Sequence, residues 1–245
     1  MTYIPPALRP PIAALWISAV MLAVAPAPAA EFVHITAARD ATLIEDPAGA
    51  LANGAGPALF AGRTAQGDTG RRRALLLFDV AAVLPRQAIV TSAQLTLRMT
   101  PSNAGPAEVA VHRVLASWSE GPGLSTGGSG VPALPGDSTW LHRHYDDELW
   151  TFPGGQFVPE SSAAITVAGE GFYSWQGSAR LLADVRVWHK APQRNFGWIL
   201  LGDEETPQSV KRFDSRESRT PEYRPVLTLE YELPGRGRSE PASRQ

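Results

Sequence analysis

From Ser92 to Thr100 the chain alternates strictly, with Ala93, Leu95, Leu97 and Met99 on one side and Gln94, Thr96 and Arg98 on the other. A repeat of two is the period of a strand that buries one face and shows the other to water. Glu108–Leu115 repeats it, setting Val109, Val111 and Arg113 against Ala110, His112 and Val114. Val226–Glu232 sets Val226, Thr228 and Glu230 against Leu227, Leu229 and Tyr231. Arg73–Val80 differs: Ala74-Leu75-Leu76-Leu77-Phe78 is apolar on both faces, as a central sandwich strand can be. Further short strands are expected at Phe32–Ala37, Ala41–Ile44, Ala163–Ala168, Phe172–Trp175, Phe196–Leu201 and Ser209–Phe213. One helix interrupts them. Ala179–His189 places Leu181, Val185 and Trp188 at helical spacing, and Pro192 follows to close it. The succession predicts an all-β fold: a two-sheet antiparallel β-sandwich, jelly-roll-like, with one short helix.

The chain has no cysteine, so neither a disulfide nor a thiolate metal site can hold this fold together. Its stability must come from an apolar core or a bound ion. Arg9, the apolar run Ile12–Val24 and the small residues Ala25-Pro26-Ala27-Pro28-Ala29-Ala30 have the order of a secretory signal peptide. Cleavage is expected after Ala29, giving residues 1–29 as leader and an exported chain with no membrane span. The run is shorter than the ~20 apolar residues that a spanning helix needs. Residues 30–233 then form a single β-sandwich domain with a long Gly-, Ser- and Pro-rich loop or insertion around 120–160, and 234–245 reads as a polar, disordered tail. The net charge is −2, and losing Arg9 makes it one unit more negative. That balance gives no electrostatic reason to expect nucleic acid as a partner.

Several short motifs then occur in a recognisable order. Asp40-Ala41-Thr42-Leu43, Asn53-Gly54 and Gly62 lead to Arg73-Ala74-Leu75-Leu76-Leu77-Phe78-Asp79. Ser92-Ala93-Gln94-Leu95-Thr96-Leu97 and Trp118-Ser119-Glu120-Gly121 follow. Asp184-Val185 with Trp188, Asn195-Phe196-Gly197-Trp198, Asp214-Ser215-Arg216-Glu217 and Pro225-Val226-Leu227-Thr228 close the series. Over Asp40 to Tyr231 the chain resembles the DNRLRE-domain, disaggregatase-related family of β-sandwich modules in secreted proteins. The resemblance implies a jelly-roll-like sandwich and, as in some relatives, polysaccharide binding beside an enzyme. Gly136–Phe157 is long for such a module and looks like an insertion.

Aromatic residues carry the main functional expectation. Of seven tryptophans Trp16 lies in the leader, while Trp188 and Trp198 sit on core-facing patterns. Trp118, Trp140, Tyr145, Trp150 and Tyr173 lie instead among Gly, Ser, Asp and Pro. Such rings either pin long loops onto the sandwich or stack on sugars, with neighbouring carboxylates and amides taking the hydroxyls. Asp40, Asp46, Asn53 and Asp68, in glycine-rich early loops, are either Ca²⁺ ligands or turn-forming residues, with Asp40, Asn53 and Asp68 the metal candidates. His142 and His144 would share one face of a strand, close enough for a transition metal. Glu120 with Asp137 offers an acid–base pair, and His112 or His142 a proton acceptor, yet no G-x-S-x-G, H-E-x-x-H or P-loop motif occurs. Arg216-Glu217 reads as cross-strand pairing, and Asp203-Glu204-Glu205 as a solvated hairpin turn. The expectation is an exported, non-catalytic module that binds polysaccharide or cell-surface glycan or builds an extracellular surface. A secreted polysaccharide lyase or glycosidase and a purely structural adhesion protein are the alternatives.

Overall fold

The computed structural model describes Met1, Thr2 and residues 30–234, so the signal-peptide and tail readings lie outside the described residues. In chain order the elements are β1 (Glu31–Thr36), β2 (Arg39–Ile44), β3 (Leu51–Ala52), β4 (Ala58–Arg63), β5 (Arg71–Leu77), α1 (Val80–Val83) and β6 (Ile89–Met99). Then come β7 (Ala107–Arg113), β8 (Val131–Pro132), β9 (His142–His144), β10 (Glu148–Leu149), β11 (Ala163–Val167) and β12 (Gly171–Gln176). The last are α2 (Ala179–Lys190), β13 (Trp198–Leu201), β14 (Lys211–Asp214) and β15 (Val226–Glu232).

The expected all-β antiparallel sandwich is what these elements build. One layer runs β1-β15-β6, with β12 on the other edge of β6 and β14 beyond the end of β15. The other runs β2-β5-β13-β7-β11. β4 joins them: Ala58–Ala61 pair with β14, while Gly62 and Arg63 pair with β5. The result is one continuous 11-stranded sheet folded over on itself. Gly62 turns this corner at φ +116°, where a Cβ would sit 3.0 Å from the Val210 backbone, so the position needs glycine. This strand was not anticipated, because Gly54, Gly56 and Pro57 before it and Gly62 within it read as loop.

Between the layers lies the main core. β6 contributes Ala93, Leu95, Leu97 and Met99, and β15 adds Leu227 and Leu229. From across the sandwich come Leu76, Val109, Val111, Trp198 and Leu200. The strict alternation of Ser92–Thr100 thus has its cause: β6 buries one face only. α2 lays Leu181, Val185 and Trp188 into the same core, and the Trp188 and Trp198 ring centroids are 4.5 Å apart. Ser178 caps it by accepting from Leu181 N, and His189 and Lys190 oppose the helix dipole in its last turn. A second, one-turn helix not anticipated from the sequence, α1, starts where Asp79 accepts from Ala82 N.

Strand β13 begins at Trp198, later than the expected Phe196. Gly197 is the reason. Its φ is +76°, and a Cβ there would lie 2.0 Å from Leu76 O, so the chain can enter the sheet only through glycine.

Candidate functional site

At β5 and β13 the second layer is apolar on both faces because both are covered. On the side away from the main core, Ala41, Leu43, Leu75 and Ile199 meet Val114, Trp118, Trp140 and Trp150 in a separate hydrophobic cluster. The long segment expected as loop or insertion therefore acts as a lid that carries its own core. Trp118 Nε1 donates to Phe196 O at 2.8 Å and Trp150 Nε1 to Thr139 O at 3.0 Å. Arg73 spans the joint: its guanidinium lies 4.8 Å from the Trp140 ring centroid, donates to Gly154 O and forms a bidentate pair with Glu204 at 2.6 and 2.8 Å. Glu204 is thus not part of a solvated turn, although Asp203 does cap that turn through Glu205 N and Thr206 N.

The aromatic candidates divide accordingly. Trp118, Trp140 and Trp150 do come together, but beneath the lid, with at most 6% of each residue exposed. Their rings are buried among Ala41, Leu43, Leu75, Val114 and Ile199, with the Arg73 guanidinium over Trp140, which leaves no open ring face for a sugar to stack on. Tyr145 packs edge-on against His142 with centroids 5.2 Å apart. Tyr173 is part-buried, its hydroxyl donating to Gly169 O and accepting from Ala168 N.

Among the proposed metal ligands, Asp40 parts company with Asn53 and Asp68. Asn53 is a brace: its Oδ1 accepts from Ser125 N and its Nδ2 donates to Ala58 O. Asp68 lies in an exposed 3-10 turn. Asp40, fully buried on β2, meets Glu120 and Glu217 instead, with one carboxylate oxygen of each within 4.8 Å of the others. Arg216 clamps Glu120 at 2.6 and 2.7 Å, its backbone N–H donates to Asp40 Oδ2 at 2.7 Å, and Asp40 N donates to Glu120 Oε1 at 2.8 Å. Arg216 and Glu217 follow β14 in a turn, so they are not the cross-strand pair that their sequence suggested. Burial first, then the Glu217 charge, raise the Asp40 carboxyl well above the usual carboxylate range. Burial likewise raises Glu217, against the pull of Arg216.

The remaining candidates are held by local bonds. Asp137 is buried and braces its loop, accepting from Gly123 N and Leu134 N. His112 Nδ1 contacts Val158 O at 3.0 Å. His142 and His144 do share a strand face, where Thr139 Oγ1 and Ser119 Oγ bond their Nδ1 atoms at 3.2 and 2.8 Å. Among the described residues they gather no third metal-ligating partner.

Beside the lid, where Arg39 donates to Trp118 O, a cavity of about 380 Å³ opens to solvent. Trp118 and Phe196 border it on the apolar side, and Arg39, Asp79, Gln193 and Asn195 on the polar side. Fold and site together define an all-β antiparallel sandwich with a cored lid, a buried acidic cluster and a shallow polar trough. Neither protein-family models nor curated proteins give a match to this chain.

Proposed function

We propose that this chain is an exported, non-catalytic β-sandwich module that binds polysaccharide at an extracellular surface, as its resemblance to the DNRLRE-domain family implies. The trough beside Trp118 is the observation that carries this reading. Small-ligand sites are concave, of roughly 300–1,000 Å³, with apolar walls and a few placed polar groups. The trough has this size and mixture, with one guanidinium, one carboxylate and two amide side chains around an aromatic border. Arg39, Asp79 and Gln193 are exposed, and beyond the Arg39 bond to Trp118 O and the Asp79 cap on Ala82 N their other polar atoms can trade water for sugar hydroxyls. The lid tryptophans serve this reading indirectly, by fixing the trough wall.

Affinity electrophoresis of the purified chain against a panel of neutral and acidic polysaccharides tests it. The expected result is retention by at least one polymer, reduced at least fivefold in Arg39→Ala and Gln193→Ala with melting unchanged. A chain that no polymer retards favours the purely structural role. Cleavage of a polymer by the wild-type chain favours the enzyme.

A further inference from the structure

We propose that Asp40, Glu120 and Glu217 hold a divalent cation, calcium by the character of the ligands, that ties β2, the lid and the turn after β14 to one another. The inference goes beyond the carbohydrate reading and does not depend on it. Oxygens that share one calcium, bound at 2.3–2.6 Å, can stand at most about 5 Å apart, and the three carboxylates meet that limit at 4.8 Å. Asp40 is fully buried, and its Oδ1 has no hydrogen-bond partner although Oδ2 accepts from Arg216 N. The Glu217 Oε2 atom, on another carboxylate of the same cluster, is likewise buried and unpartnered. Buried oxygens of ionised carboxylates are not left bare without a large cost, so a ligand belongs between them. With all three carboxylates ionised, as ligation of a cation requires, one guanidinium, that of Arg216, leaves two negative charges for a divalent ion to neutralise. Oxygen donors drawn from one strand and two loop segments suit calcium, which accepts six to eight ligands loosely, better than magnesium, which demands an octahedron. Carbonyls and water would complete the shell. The three residues lie 80 and 97 positions apart in sequence, so the ion would cross-link distant segments of a chain that has no disulfide.

Isothermal titration of calcium chloride into the EDTA-stripped, dialysed chain tests the site, paired with melting curves in calcium and in EDTA. One ion per chain is expected, with the melting temperature raised by about 5–10 °C at a hundredfold excess over the dissociation constant. Asp40→Asn keeps the shape and removes the charge. It should melt no lower than the stripped wild type while losing at least tenfold in calcium affinity, and Glu217→Gln should lose affinity likewise. No heat of binding and coincident melting curves overturn the site, whether or not either variant folds. Wild-type affinity in both variants overturns it too, and an equal response to magnesium chloride overturns the choice of calcium. A melting temperature that ignores cations but rises in mild acid gives the orphan oxygens to a shared proton, which also overturns it.

Discussion

At Asp184 three elements meet on one carboxylate. Its Oδ2 accepts from Ser162 Oγ at 2.5 Å and from Trp198 Nε1 at 2.9 Å, while Oδ1 lies 3.0 Å from Arg113 Nε. Helix α2 is thereby fastened to β13 and β7 by a charge that is itself nearly buried. Removing one partner of such a group leaves the others desolvated and unpaired, which costs more than the bond contributes net. Asp184→Ala is expected to lose about 3 kcal/mol of unfolding free energy in urea titrations, and a loss below about 1 kcal/mol contradicts the role. The sequence marks Asp184 by its place between core positions of the helix and in one of the motifs of the resemblance, but nothing local tells that Trp198 and Arg113 will face it. Asp40 reads as a metal candidate and Glu120 as an acid, but nothing local tells that they meet each other and Glu217. Each stands in one of the motifs that carry the family resemblance, and the signal that could have joined them was that three scattered acidic motifs have no local work to do.

Among the elements, strands with one wet face were legible and those with none were less so. β6 and β15 alternate because water lies on one side, whereas β5 reads as a plain apolar run because the lid covers its second face. The lid itself looked like loop, since Gly, Pro and Ser dominate it and its strands, β8, β9 and β10, are two or three residues long. Its order comes from three indoles placed on the sheet, which local sequence does not encode. The lid therefore makes a sharp prediction. Trp150→Ala should cost about 3–5 kcal/mol of folding free energy, the price of emptying a large aromatic site, measurable as a fall in the denaturation midpoint. A Trp150→Ala chain that unfolds at the wild-type midpoint would mean that the lid is carried by its hydrogen bonds and not by its core.

Taken whole, the molecule is a sandwich whose second layer is covered on its outer side by the lid, which leaves the lid tryptophans buried and a solvent-open trough at the lid's edge. Among the described residues no helix is long and apolar enough to cross a membrane. The trough draws on β2, the stretch after β5, the start of the lid and the segment between α2 and β13, so no single motif in the sequence could have named it. Tertiary folding alone brings Arg39 and Asp79 to the segment that carries Gln193, Asn195 and Phe196. The binding reading is tested most directly by an amide NMR titration with an oligosaccharide cut from whichever polymer retains the chain. Shifts are expected to concentrate on Arg39, Ser117, Trp118, Gln193, Asn195 and Phe196. Shifts confined to the His142–Leu149 hairpin, or to the exposed face of β6 and β12, would contradict it.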